Sequence, residues 1–351
     1  MIDNILIWSL DPRITKMLTS SKLKRIGLEN YNNQHTFRLY HPLRKSERDA
    51  ELQIKSIDTK NFVMITGSIR KWYLGNLSMD DLSKDSLYEA LSLIAKELNI
   101  PIHNLLSFNI SKIEVGLNMK LISENKILNK IVGFKNAYFE PALYRHSRSY
   151  FSANLKFTIY RKAAEIIKRI QKNKQGIRTE EERTFKRMNI NNESLRIEYK
   201  ILGGKKEVAE RLDIEKATFK EILENYDKLY HFFWTNCQHI NVHSKTDKAL
   251  TFNEKKYTRK NLHEYFEYIG MYTLGLDTCL EMAHSSNDRG AKRNIQNCWE
   301  KYHTKLNDPY SKAIFLRQIR AELLIKLSVD GLANKKALLL PLYGHINSIV
   351  E

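Results

Sequence analysis

Residues 155–162, Leu-Lys-Phe-Thr-Ile-Tyr-Arg-Lys, alternate apolar and polar side chains with a period of two. This pattern predicts a strand with one buried face and one polar face. The polar face places Tyr160 beside the cations Lys156 and Lys162. A phenol among cations is a candidate nucleophile, although a tyrosine on the polar face of a strand is also common where no chemistry occurs.

Two further stretches, residues 112–120 and 195–201, show the same alternation. Their polar faces carry two carboxylates and an amide: Glu114, Asn118 and Glu198. If the three strands share a sheet, these groups and the tyrosine share one face. The alternative is that each carboxylate only pairs with a cation on a neighbouring strand.

The remaining pattern predicts an α+β fold. Four strand-like stretches, residues 3–8, 36–40, 51–57 and 61–72, come before residues 82–98. Residues 82–98 have an apolar 3.6-residue repeat, which predicts a helix. Residues 134–151 are aromatic and irregular, which favours a surface loop or edge element. Beyond Gly203 and Gly204 the pattern becomes helical, and residues 208–223 have the cadence of a helix-turn-helix.

Charge is the strongest feature of the composition, since 58 Lys and Arg against 40 Asp and Glu leave a net charge of +18. A polyanion is the expected partner. Nucleic acid is favoured over a membrane surface because the cations are interleaved with 18 Tyr and 14 Phe, which can stack on unpaired bases. An RNA-binding protein shares this composition.

Localisation follows from what the chain lacks. No apolar run approaches the ~18 residues of a membrane span, and the first residues do not have the layout of a secretory signal. Three separated cysteines indicate neither a disulfide framework nor a zinc site. We expect a cytoplasmic protein.

Cations near the three alternating strands are the candidate phosphate contacts. Residues 161–187 alone hold ten Lys and Arg against four acids. The candidates are Arg70, Lys71, Lys112, Arg145, Arg148, Lys156, Arg161 and Arg196.

The polar face permits phosphodiester cleavage by Tyr160. A phenol has a pKa of ~10 and needs a cation to stabilise its phenolate. Lys162 could supply that cation. Carboxylate and amide oxygens are suitable ligands for a divalent metal that would orient the phosphate. Gly116, on the same face, leaves room for an ion or a DNA strand. Walker and dinucleotide motifs are absent from the sequence.

Four segments resemble the gene II/X-like phage and plasmid replication initiators, which are related to rolling-circle initiators of plasmids and mobile elements. Residues 67–76, beginning Gly-Ser-Ile-Arg-Lys, are similar to the family's early Gly-Ser-x-x-Lys block. Residues 112–118 resemble its Arg-Ile-Asp-x-x-x-Asp/Asn strand, and 155–162 with Glu165 its Leu-Lys-Ile-Tyr-Asp-Lys-x-x-Glu block. Residues 195–198 match its Leu-Arg-Ile-Glu strand.

The resemblance implies a site-specific single-strand endonuclease and ligase that nicks a replication origin through a tyrosine with Mg2+ or Mn2+. If the family's functional positions are carried over to this chain, its metal-site positions are Glu114, Asn118 and Glu198. Its tyrosine block then contains Tyr160 and Lys162. The chain departs from the pattern at Lys112, Glu114 and Arg161, and it has no two-histidine metal motif. Two other tyrosines close by, Tyr150 and then Tyr144, are the alternative nucleophiles.

We therefore expect a nuclease-like domain with an antiparallel sheet over residues 1–202 and a helical DNA-binding or accessory region over residues 203–351. The expected partners are single-stranded and supercoiled double-stranded origin DNA and a host helicase, with no membrane. The alternative is a non-enzymatic origin-binding initiator or repressor that uses its helical half.

Overall fold

The protein has a mixed α+β fold, as the sequence predicts. The structure, a computed structural model, describes residues 1–20, 34–43, 50–119, 127–128, 131–135, 138–140, 147–172, 179–189, 194–242, 290, 293–294 and 312–339. Met1–Asn129, Gly133–Ile240 and Gln318–Leu340 form one compact unit. A second unit, made of Lys130–Val132, Asn241–Arg317 and Pro341–Glu351, lies largely outside the described residues.

Nine strands form one antiparallel sheet in the order β2-β3-β4-β1-β5-β10-β9-β8-β7. The strands are β1 (Ile2–Ser9), β2 (Gln34–Tyr40), β3 (Glu51–Ile57), β4 (Phe62–Ser68), β5 (Asn109–Met119), β6 (Ile131–Phe134), β7 (Tyr138–Glu140), β8 (Ser147–Ser152), β9 (Leu155–Arg161), β10 (Leu195–Ile201) and β11 (Ile240–Val242). Strands β6 and β11 are not part of this sheet. The three alternating stretches become adjacent strands, β5, β10 and β9.

The helices fill the connections between these strands. They are α1 (Pro12–Ser20), α2 (Ile69–Leu74), α3 (Lys84–Glu97), α4 (Ile102–Leu106), α5 (Lys162–Lys172), α6 (Glu180–Asn189), α7 (Gly204–Leu212), α8 (Phe219–Glu224), α9 (Asp227–Cys237) and α10 (Lys312–Val329). Short 3-10 helices cover Asp58–Lys60 and Ala333–Leu339. Among the described residues, none of the helices is long and apolar enough to cross a membrane.

One face of the sheet is apolar and forms the core, because successive strand residues point to opposite sides. Phe157 lies at the centre of this core on β9. Its ring centroid is 4.9 Å from that of Phe134, 5.3 Å from Tyr199 and 5.9 Å from Tyr150. The edge of Phe233 on α9 meets Tyr199 at 5.2 Å, so this helix covers the apolar face.

The structure corrects three local predictions. The strand expected over residues 61–72 ends at Ser68, whose hydroxyl accepts a hydrogen bond from Lys71 N at 3.0 Å and caps helix α2. Residue Lys162 begins helix α5 instead of continuing strand β9. The segment 134–151 has the expected edge element in strand β7, but strand β8 lies in the interior of the sheet, where it pairs with β7 and β9 and its Tyr150 ring stacks on Phe157.

The helix-turn-helix cadence is realised as helices α7 and α8, which pack onto the sheet. Val208 and Leu212 of α7 and Phe219 and Ile222 of α8 are buried. Ile110 N on β5 donates to a carbonyl oxygen of the connecting loop, that of residue 217, at 2.7 Å. The compact unit therefore continues past residue 202, and the division into functional regions near this residue stays a prediction.

Replacing Phe157 with Ala should lower the free energy of unfolding by about 3–5 kcal/mol, because a fully buried ring leaves a cavity among three aromatic neighbours. The matched control is Phe151→Ala on β8, whose side chain is 40% exposed on the other face and should cost much less. Urea unfolding of the two variants measures both values. Equal losses would contradict this assignment of the two sheet faces.

Candidate active site

The strand register places the predicted polar groups on one face of the sheet. Residue Glu198 on β10 lies opposite Gly116 on β5, and Arg196 lies opposite both Asn118 on β5 and Tyr160 on β9. Directly opposed residues of antiparallel strands point to the same side. The side chains of Glu198, Asn118 and Tyr160 therefore share a face, as does Glu114, two residues from Gly116.

Three carboxylates meet on this face. Asp3, Glu114 and Glu198 each offer an oxygen, and these oxygens lie within 4.8 Å of one another. Asp3 comes from β1, where the pairing with β5 shifts register between residues 2 and 5, and this irregularity turns its side chain toward the other two. Sequence reasoning missed Asp3, although an acid inside the apolar run Met-Ile-Asp-Asn-Ile-Leu-Ile is a signal, since a buried carboxylate needs partners.

Asn118 was predicted as a metal ligand beside Glu114 and Glu198, but its side-chain nitrogen binds the segment that contains Met79 and Asp81. Its side-chain nitrogen donates to Met79 O at 2.6 Å and to Asp81 Oδ1 at 2.8 Å, so it anchors the segment before helix α3. Its Oδ1 is buried and has no hydrogen-bond partner in the described part of the chain. The structure thus brings Glu114 and Glu198 together with Asp3, whereas the Asn118 side chain binds the segment of Met79 and Asp81.

A fully buried guanidinium binds the cluster together. Arg196 donates to Glu198 Oε1 at 2.5 Å, to Asp81 Oδ1 at 2.7 Å and to Asp3 Oδ2 at 2.8 Å. A Cβ added at Gly116 would lie 2.4 Å from Arg196 Nη2. The space above Gly116 is therefore filled by Arg196, which corrects the expectation that this glycine leaves room for an ion or for DNA.

Asp3 is held from a second side by helix α2. Arg70 Nε donates to Asp3 Oδ2 at 2.8 Å, and the Ser68 hydroxyl donates to Asp3 Oδ1. Burial opposes ionisation of Asp3, but Arg196 and Arg70 outweigh it and hold the pKa of this carboxyl well below its usual range. Asp3 is therefore a fixed negative charge.

Tyr160 is joined to the carboxylates by a direct hydrogen bond. Its hydroxyl donates to Glu198 Oε1 at 2.7 Å, and Lys162 Nζ lies 3.5 Å from the same hydroxyl. Lys162 was expected on the strand face beside Tyr160; it reaches the phenol instead from the first turn of α5, where its side chain is fully buried. Its ammonium also lies 3.7 Å from Glu165 Oε2.

Burial and mutual repulsion shift the ionisation of this cluster. Burial raises the pKa of Glu114 to about 8, with Glu198 and Asp3 adding to the effect. Burial lowers the pKa of Lys162 to about 7, and the nearby Arg196 lowers it further. Burial, followed by the charge of Glu198, raises the pKa of Tyr160 well above its ordinary value. The phenol is therefore protonated in the resting site.

The side chains predicted to contact phosphates fall into a buried group and a partly exposed group. Arg70 and Arg196 are buried in the ion pairs with Asp3, which corrects the expectation that they face DNA. Five others are partly exposed: Lys71, Lys112, Arg148, Lys156 and Arg161. Arg145 lies outside the described residues, as does part of the basic segment 161–187, so phosphate contacts along that segment stay a prediction.

Of the two alternative nucleophiles, Tyr150 lies elsewhere. Tyr150 is 2% exposed on the apolar face, where its ring stacks on Phe157, so the structure does not bring it to the carboxylates. Tyr144 lies outside the described residues.

Comparisons of the chain with protein-family models, with curated proteins and with solved structures found no match.

Glu114 should make stability fall as pH rises. Its folded-state pKa of about 8 exceeds the ordinary value of 4.5, so its stabilising contribution is complete below pH 4.5 and is lost as pH rises through 8. Glu114→Gln removes this titration, and its stability relative to the parent protein should increase by roughly 4 kcal/mol between these pH values. Urea unfolding in metal-free buffers at several pH values measures the difference.

The control is Glu181→Gln, because Glu181 is exposed on helix α6. This variant should follow the parent protein at every pH. Parallel stability curves for Glu114→Gln and the parent protein would contradict the raised pKa.

Proposed function

We propose that the chain is a metal-dependent DNA strand transferase that initiates rolling-circle replication by nicking a replication origin through Tyr160. The observation that carries this proposal is the 2.7 Å hydrogen bond from the Tyr160 hydroxyl to Glu198 Oε1. It gives the phenol a proton acceptor that belongs to the carboxylate cluster with Asp3 and Glu114. A nucleophile within hydrogen-bond distance of a base is the arrangement that covalent catalysis requires.

The proposed reaction is a transesterification at a DNA phosphate. The Tyr160 oxygen attacks a phosphodiester phosphorus, the bond from phosphorus to the 3′ oxygen breaks, and the chain retains the DNA 5′ end as a phosphotyrosine. Because the pKa of Tyr160 is raised, its proton passes to Glu198 as the oxygen attacks. The departing 3′ oxygen takes up a proton to become a hydroxyl. The bond energy is retained in the phosphotyrosine, so a 3′ hydroxyl can later reverse the step.

Lys162 supports the attack from the other side of the phenol. Its Nζ lies 3.5 Å from the Tyr160 oxygen, and its pKa of about 7 makes its charge depend on neighbouring anions. A phosphate entering the site adds negative charge and favours the ammonium form. Lys162 then stabilises the developing charge on the attacking oxygen and on the phosphate.

The cluster suits Mg2+ or Mn2+. Asp3, Glu114 and Glu198 provide hard oxygen ligands, and Glu114 lacks full compensation, as its raised pKa shows. Asn118 Oδ1 is buried, has no hydrogen-bond partner in the described part of the chain and is the proposed further ligand. These residues would hold the ion, which supplies polarisation of a non-bridging phosphate oxygen when bound.

DNA is the proposed substrate because the net charge of +18 favours a polyanion and because the resemblance in residues 67–198 is to DNA-nicking initiators. Origin DNA and a host helicase are the proposed partners. The non-enzymatic alternative would bind the same DNA through its helices without any chemistry at Tyr160.

Mn2+ should stabilise the parent protein more than Glu114→Gln, because the metal binds the folded state through the carboxylate that the variant lacks. Thermal unfolding at pH 7.5 with and without about 1 mM MnCl2 measures this. In the control variant Glu181→Gln, MnCl2 should raise the unfolding temperature as much as in the parent protein. Equal gains for Glu114→Gln would contradict the proposed ligand set.

Tyr160→Phe should abolish nicking, because it removes only the attacking oxygen. The assay incubates the protein with supercoiled DNA of its own replicon and Mg2+ or Mn2+, and follows conversion to the open circle. DNA binding should survive, since the ring and the strand are unchanged. The matched control is Tyr150→Phe, the same change on the apolar face of β8, which should nick as the parent protein does.

Nicking that survives in Tyr160→Phe would contradict the assignment of the nucleophile. A parent protein that shifts origin DNA and never nicks it would instead support the non-enzymatic initiator.

A further inference from the structure

A second feature of the polar sheet face is an apolar patch on β1, β3 and β4. Its members Leu6, Trp8, Ile57, Phe62 and Met64 are all partly exposed. Their sequence neighbours on the other face, such as Ile5, Ile7, Val63 and Ile65, are at most 2% exposed. The patch therefore lies on the solvent side of the sheet and not in the core. The patch is continuous across the three strands, because Trp8 on β1 lies opposite Met64 on β4, and Phe62 on β4 lies opposite Ile57 on β3.

The aromatic rings of this patch are held in place. The centroids of Trp8 and Phe62 are 6.3 Å apart with an interplanar angle of 30°. The indole nitrogen of Trp8 donates to Ser111 Oγ at 2.6 Å, which fixes the orientation of its ring. A fixed and partly exposed indole loses little conformational entropy when it stacks on a planar group.

Lysines surround the patch. Lys205 Nζ lies 5.6 Å from the Trp8 ring centroid, Lys55 lies opposite Met64, and Lys112 lies opposite Leu6. These three lysines place positive charge around the rings, where it can contact the phosphates of a bound strand.

We propose that this surface, the stacking platform formed by Leu6, Trp8, Phe62, Met64, Lys112 and Lys205, binds single-stranded DNA. Unpaired bases stack on Trp8 and Phe62 while the lysines contact the phosphates. Duplex DNA cannot bind in this way because its base faces are stacked on one another. RNA shares the stacking chemistry, and DNA is chosen because the inference rests on the proposed nicking function.

The platform leads toward the candidate active site. Lys200 Nζ lies 3.5 Å from Glu114 Oε2, and Glu114 follows Lys112 by two residues on β5. A strand that crosses Trp8 and passes over Lys112 and Lys200 therefore reaches the carboxylate cluster. The platform would hold the single strand beside the nick without reading its sequence.

The test measures the affinity for a fluorescently labelled 30-nucleotide oligo(dT) by anisotropy at several salt concentrations. Trp8→Ala should weaken binding about tenfold, because one base loses its stacking partner. Trp8→Phe, which keeps an aromatic face, should retain most of the affinity. Thermal unfolding checks that both variants are folded.

A charge-reversed pair on helix α7 supplies the matched comparison. Lys205→Glu should weaken binding and reduce the slope of log Kd against log salt by about one. Lys206→Glu makes the same change in net charge one residue away, where Lys206 pairs with Glu210 at 3.7 Å, and should have a much smaller effect.

The proposal is overturned if Trp8→Ala and Lys205→Glu bind oligo(dT) as the parent protein does, or if both lysine variants lose affinity equally. Binding of a 30-base-pair duplex as tight as that of oligo(dT) would also overturn it, as would tighter binding of oligo(rU). Oligo(dT) binding is measured without any cleavage step. A failure of nicking therefore leaves this measurement intact, and a failure of the platform leaves the nicking assay intact.

Discussion

The pairing of Arg196 with three acids is the interaction on which the site depends. A buried guanidinium is tolerated only when its donors are satisfied, and Arg196 meets this condition through Asp3, Asp81 and Glu198. These acids come from β1, from the segment before α3 and from β10, so a single cation fixes the relative position of three parts of the chain. Gly116 is required at its position because any larger side chain would collide with the guanidinium.

The same interaction separates the roles of the carboxylates. Asp3 is held ionised by Arg196 and Arg70. Arg196 also orients Glu198, whose Oε1 accepts a second hydrogen bond from the Tyr160 hydroxyl. Glu114 has only the weaker contacts from Asn4 at 3.2 Å and Lys200 at 3.5 Å, and it takes up a proton instead. These contacts do not offset the burial of Glu114, so an additional positive charge beside it would favour its ionised form. Breaking the Arg196 pairs would therefore disturb the fold and the chemistry together, as is common for buried networks.

Much of the sheet could be predicted from the sequence because period-two alternation fixes both the strand and its buried face. This reasoning placed Glu114, Glu198 and Tyr160 on a common face, which the register shows. It could not identify Asp3, whose direction depends on a register irregularity in β1, or the filling of the space at Gly116 by Arg196. It also placed Arg70 on the surface, because a single sequence does not show that Asp3 lies beside it in space. Ion pairs between residues far apart in the sequence leave no local sequence pattern, so these pairs are seen only in the structure.

The central claim is that Tyr160 forms a covalent bond with DNA at a carboxylate-lined site. The most direct measurement is peptide mapping by mass spectrometry of the protein after reaction with supercoiled replicon DNA in Mn2+, followed by nuclease digestion. The account predicts a nucleotide attached to Tyr160 on the peptide that contains strand β9. A nucleotide attached to the peptide of Tyr150 or Tyr144, or the absence of any adduct while nicking proceeds, would contradict it.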